Sequence, residues 1–192
     1  KKRYMVAEKI LSGFFDQIIA VSEETKTDLV KYEKIDPERI TVISNGIDGA
    51  MYATAPDREG KLRELGIPLE RRPILGFCGR LSAEKGITFL LKAMRMLIDE
   101  YPEALLVIVG DGELRMELNR EIQELNLGQS VFLLGARLDA NEIMQILDVF
   151  VLPSLREGLP LVLLEASAAS LPIVATNVGG TTGSAAIGGT GS

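Results

Sequence analysis

Four residues have the types and spacing to do chemistry together: Arg80, Lys85, Glu157 and Glu165. Arg80 and Lys85 bracket the loop Gly79-Arg80-Leu81-Ser82-Ala83-Glu84-Lys85-Gly86. Two cations on one short loop suit a diphosphate, with Arg as a bidentate fork and Lys as a point charge. Glycines there let the backbone approach a ligand. The alternative is a pair of solvated cations at a helix start. Farther on, Glu157-Gly158-Leu159-Pro160 precedes an apolar helix. Pro160 is expected as its first helical residue, since its missing N–H would have had no partner there. The N–H groups of Gly158 and Leu159 then face the positive end of the helix, where anions bind. Glu165 interrupts the apolar run 161–166. A carboxylate there is costly unless something hydrogen-bonds it, as a ribose diol would. Otherwise Glu165 lies on an exposed stripe or pairs with a cation.

These residues need a scaffold, and the flanking pattern supplies one. Continuously apolar runs at 74–78, 105–109, 131–134, 149–152 and 173–175 read as strands. Helical patterns separate them, with Ile87, Leu90, Leu91, Met94, Leu97 and Ile98 on one face of the first. Buried strands alternating with helices predict a parallel sheet covered on both sides. The expected fold is α/β, a Rossmann-like doubly wound domain over residues 73–178 that binds its ligand outside the carboxyl ends of the strands. Upstream, residues 1–48 form a smaller block: an amphipathic helix over the first residues, a strand at 17–21, a helix capped by Ser22 and a strand at 40–43. Residues 49–72 hold Pro56, Gly66 and Pro68 around one short charged helix and read as a linker. Residues 179–192 have a linker composition and no apolar period.

Composition limits the chemistry. The chain has 192 residues, a formal charge of -6, one Cys and no His. There is no Ser-His-Asp or Cys-His pair and no His-ligated zinc. A lone Cys78 excludes a disulfide framework within the chain and fits a reducing, cytoplasmic setting. The acidic balance argues against nucleic acid as a partner. No apolar run reaches the roughly 20 residues that span a bilayer, and Lys1, Lys2, Arg3 and Lys9 suggest at most peripheral membrane contact. The start is a poor signal peptide without an initiator Met, so the chain is read as a piece of a longer one.

Glu157 to Glu165 reproduces the E-x7-E signature of retaining glycosyltransferases with the GT-B fold. Gly79-Arg80-Leu81-x-x-x-Lys85-Gly86 resembles their diphosphate loop, and Val109-Gly110-Asp111-Gly112 their next sheet-edge turn. Ser44-Asn45-Gly46-Ile47-Asp48 resembles the crossing between their two domains, and Ile19-Ala20-Val21-Ser22-Glu23 the end of the acceptor domain. The chain thus resembles family 4 of the glycosyltransferases over residues 15–180. That resemblance implies a nucleotide-sugar donor, UDP- or GDP-linked, with no metal and no further cofactor. It implies that Arg80 and Lys85 hold the diphosphate and stabilise the leaving nucleotide. Glu157 would meet the donor sugar's hydroxyls, Gly158 and Leu159 would offer backbone N–H groups, and Glu165 would take the ribose hydroxyls. In this reading the two Glu residues bind ligand and are not an acid and a nucleophile. Base contacts made through the backbone are expected near Gly135 to Arg137.

The acceptor domain would be missing apart from the remnant 1–48, so the isolated fragment is expected to show little transfer activity. The cleft His usual in that domain is missing with it. A non-catalytic nucleotide-binding or dimerisation module is the second reading. It includes a homodimer through residues 1–48, unless that segment folds back over its own apolar face. A GT-B sugar-nucleotide epimerase or phosphorylase is the third, weakened by the absent His.

Overall fold

The computed structural model describes residues 15–158 and 160–178. The expected amphipathic helix at the start, the backbone of Leu159 and the tail from residue 179 lie outside them. A small unit comes first. Strand β1 (Ile18–Ala20) pairs in parallel with β2 (Ile40–Val42). Helix α1 (Glu23–Asp28) connects them onward, with Ser22 Oγ accepting from the Thr25 amide as an N-cap. Ala20, Ile35 and Ile40 form a separate three-residue core.

The larger unit is a five-stranded sheet in the order β5-β4-β3-β6-β7. Its strands are β3 (Ile74–Cys78), β4 (Leu105–Val109), β5 (Val131–Gly135), β6 (Val149–Leu152) and β7 (Ile173–Ala175). All are parallel, with Phe77 opposite Ile108 and Gly76 opposite Phe150. Every residue of β4 is buried, as expected for a central strand covered on both faces. Helices α3 (Ile87–Glu100), α4 (Arg115–Glu124), α5 (Ala140–Gln145) and α6 (Leu161–Ala168) make the crossovers. Ile87, Leu90, Leu91 and Met94 are the buried stripe of α3. The chain runs outward one way from β3 to β4 and β5, then returns to the other side for β6 and β7. The switch point therefore lies between β3 and β6, where doubly wound sheets open a ligand crevice.

Within 49–72 the chain forms a short 3-10 turn, Gly49–Tyr52, and helix α2 (Arg58–Glu64). The charged helix expected there is present. Leu62 and Ile67 are nonetheless buried in the main core, so this part of the expected linker packs as an integral layer of the larger unit. Density of Gly and Pro marks turns, but two well-placed aliphatic residues decide where the segment packs. Pro160 is also shifted from its expected place. It is the N-cap of α6, with φ -72 and an extended ψ of 108, and the helix begins at Leu161.

Candidate functional site

Loops at the carboxyl ends of β3 and β6 meet across the switch point. Their backbones are fixed against each other: the Leu155 amide donates to the Glu84 carbonyl at 2.7 Å. Gly86 has φ +65, and a Cβ there would come within 2.2 Å of the Pro153 carbonyl oxygen. On the other side, Gly110 has φ +139 and a Cβ would come within 1.8 Å of the Gly79 carbonyl oxygen. The Leu81 amide donates to the Asp111 carbonyl and the Leu114 amide to the Leu81 carbonyl. Three loops thus form one rigid rim.

On that rim Lys85 and Glu157, 72 residues apart, form an ion pair with Nζ 2.6 Å from Oε1. The Glu157 side chain is 8% exposed and that of Lys85 19%. Ser154, fully buried, donates its hydroxyl to the same Oε1 at 2.5 Å. Lys85, Glu157 and Gly158 line one wall of a cleft of about 460 Å³, with Glu84 and Arg156. Glu24, Thr25, Asp28, Leu29 and Glu33, from α1 and the turn after it, line the facing wall. The cleft therefore lies between the small unit and the large one.

Arg80 and Glu165 do not line that cleft. Arg80 is exposed on the β3 loop and makes no ion pair among the described residues. Arg156 is likewise exposed. Glu165 lies half-buried on α6, and burial pushes its carboxyl above the ordinary value. Its charge reaches two other groups. Burial, and secondarily Glu165, raises the Tyr52 phenol to about 12 and the Cys78 thiol to about 11. Tyr52, Cys78 and Glu165 thus share one neighbourhood at the end of β3, and Cys78 is a protonated thiol at neutral pH. Among the described residues the Glu165 side chain makes no hydrogen bond or ion pair, so its partial burial is uncompensated there.

The base contacts expected near 135–137 are backbone contacts, and the Arg137 side chain is engaged separately in an ion-pair cluster. Its guanidinium bridges Asp139 and Glu64, each at 2.7 Å, and Lys61 joins Glu64, Asp139 and Glu142. Hydrogen bonding from Arg137 holds the Asp139 carboxyl well below the usual carboxylate range. The cluster ties α2 to the start of α5. Gly135 keeps its backbone at the rim, its carbonyl accepting from the Gly110 amide at 2.8 Å. Sequence reasoning missed Ser154, Tyr52 and Arg156. Ser154 carried one weak signal, a hydroxyl three residues before a carboxylate in a turn-rich loop. Among the described residues no cluster of His, Cys, Asp and Glu could hold a metal ion, and no helix is long and apolar enough to cross a membrane.

Sheet order, switch-point cleft and rim define an open doubly wound α/β protein of the kind that makes up half of a GT-B enzyme. The description "Glycosyl transferases group 1" matches residues 58–192, and "Glycosyltransferase Family 4" matches residues 1–50. The chain belongs to the group 1 glycosyltransferases. It is 38% identical over 168 residues to the UDP-Gal:alpha-D-GlcNAc-diphosphoundecaprenol alpha-1,3-galactosyltransferase of Escherichia coli, covering 85% of this chain and 43% of that protein. It is 31% identical over 185 residues to the D-inositol 3-phosphate glycosyltransferase of Corynebacterium glutamicum (strain R), covering 91% and 44%. Among solved structures, Anabaena Alr3699/HepE in complex with UDP and glucose superposes with a TM-score of 0.85 at 28% identity, over 95% of this chain and 50% of that one. The chain spans less than half the length of the curated relatives it matches.

Proposed function

We propose that this chain supplies the donor-binding half of a retaining glycosyltransferase, which moves a sugar from a UDP- or GDP-linked donor to an acceptor hydroxyl. The observation that carries this reading is the Lys85–Glu157 pair, which joins the β3 loop to the β6 loop at the switch point; the same β3 loop carries Arg80, which makes no ion pair among the described residues. Solved structures of Alr3699/HepE hold UDP, or UDP-glucose, and align with 93% or more of this chain. They support nucleotide sugar as the ligand class.

In this reading Arg80 and Lys85 take the diphosphate and stabilise the charge that develops on the leaving nucleotide, without a metal. Glu157 accepts from the sugar's hydroxyls, and Gly158 and Leu159 offer backbone N–H groups. Glu165 accepts from the ribose diol, which relieves the cost of its burial. The acceptor enters from the wall built by α1, where the small unit marks the end of an acceptor domain. This chain by itself turns over little, because it spans less than half the length of the relatives it matches.

Calorimetry with UDP, GDP and ADP and their sugars tests the reading, repeated with Arg80→Ala and Glu165→Ala. Binding of one nucleotide series, weakened about tenfold or more by each variant, is expected, since a hydrogen bond to a charged group contributes about 1.5–3 kcal/mol. No binding, or equal binding by parent and both variants, overturns it.

A further inference from the structure

We infer that Ser154 is a positioning residue that holds the Glu157 carboxylate in place when Lys85 turns to the donor's diphosphate. The inference rests on the donor-site reading above and deepens it. Glu157 Oε1 accepts twice, from Lys85 Nζ at 2.6 Å and from Ser154 Oγ at 2.5 Å. Its other oxygen, Oε2, accepts nothing among the described residues, and Glu157 lines the cleft. A sugar hydroxyl therefore has one acceptor position to use.

The two donors on Oε1 are not equivalent. Lys85 carries its ammonium on a flexible four-carbon stem, and its three N–H groups can be shared with a phosphate. A diphosphate arriving beside Arg80 competes with Glu157 for that cation. Ser154 has no such freedom. It is fully buried, its own carbonyl accepts from the Thr176 hydroxyl on the β7 side, and the following amide, Leu155 N–H, is bound to the Glu84 carbonyl. Its backbone is thereby tied to both neighbouring loops, which seats its hydroxyl on Oε1 independently of Lys85. A carboxylate that is 8% exposed and had lost its cation would otherwise be buried with one weakly held oxygen and several rotamers to choose from. Ser154 removes that choice and fixes where Oε2 points.

This predicts a split between nucleotide and sugar. The parent chain should bind UDP-glucose more tightly than UDP, or GDP-mannose more tightly than GDP. Calorimetry on Ser154→Ala should show the nucleotide's own affinity kept within about twofold and the sugar's additional gain cut about tenfold, the size of one hydrogen bond to a charged acceptor. Ser154→Cys, close in volume and a weak donor, guards against a packing defect and should show the same loss with an unchanged melting temperature. In a Glu157→Ala background, Ser154→Ala should add nothing, because the residue acts through Glu157. A parent that binds neither UDP nor GDP overturns the donor-site reading, and this inference with it. A parent that binds nucleotide but gains nothing from the sugar overturns the inference alone. So does a sugar gain that survives in both Ser154 variants, equal weakening of nucleotide and nucleotide sugar, or an equal loss with and without Glu157.

Discussion

The two edges of one sheet use the same residue types for opposite ends. At the amino edge, Arg71 donates to the Gln129 carbonyl at 2.6 Å and the Pro102 carbonyl at 2.7 Å, and its Nε pairs with Glu103 at 3.2 Å. One guanidinium thereby ties together the segments that enter β3, β4 and β5. Asp148, just before β6, accepts from Arg58 at 2.6 Å and from the amide of buried Ile74 at 2.7 Å. At the carboxyl edge, Arg80 is unpaired among the described residues and Glu165 is desolvated. Carboxylates at the amino edge are paired within the chain and hold the fold together, although the buried Arg58 Nε has no partner among the described residues. At the carboxyl edge the backbone is fixed and Lys85 pairs with Glu157, while Arg80 and Glu165 have no side-chain partner among the described residues. For half-buried Glu165 that state costs stability unless a ligand completes it.

Gly110→Ala should do the most damage, because it strikes a place where the carboxyl edge is itself structural. The new Cβ would meet the Gly79 carbonyl oxygen at 1.8 Å in a left-handed backbone. Strain and overpacking cost about 1–3 kcal/mol each, and urea unfolding should show their combined effect. Asp148→Ala comes next. It orphans the Ile74 amide, at a cost of about 1–3 kcal/mol, and should leave nucleotide affinity unchanged by calorimetry. Loss of affinity there without loss of stability would erase the contrast between the edges. Arg80→Ala should reverse the pattern, with stability changed by less than about 0.5 kcal/mol while nucleotide binding falls. Glu165→Gln is the smallest and has a different sign. Burial raises the carboxyl's folded value above its unfolded one, so the free protein loses stability as pH rises through that folded value. The Gln variant should be slightly more stable than the parent at pH 7. That advantage should vanish as the pH falls below about 4, where Glu165 is protonated in both folded and unfolded chains.

Much of this contrast was legible before any coordinates. Runs such as 74–78, 105–109 and 149–152 match strands residue for residue, because continuous apolar runs have few places to go outside a covered parallel sheet. Glu165 stood out because a carboxylate in an apolar helix must be explained. What stayed hidden involved partners distant in sequence. Nothing in residue type tells that Lys85 and Glu157 pair, or that Arg137 bridges Glu64 and Asp139. Ser154 carried only a weak signal because a Ser in a turn-rich loop is ordinary, and only burial makes its hydroxyl matter. The span 49–72 was misjudged for a related reason. Its Gly, Pro and charged residues dominate the pattern, yet Leu62 and Ile67 place part of it in the core.

The most direct test of the contrast is a titration of the isotope-labelled chain with UDP, following backbone amide chemical shifts. The account predicts that shifts concentrate at the carboxyl edge, in 79–86, 110–112 and 154–165, and that Arg71, Ala104, Ser130 and Asp148 at the amino edge stay in place. Shifts centred on the amino edge, or spread evenly over both, would contradict it.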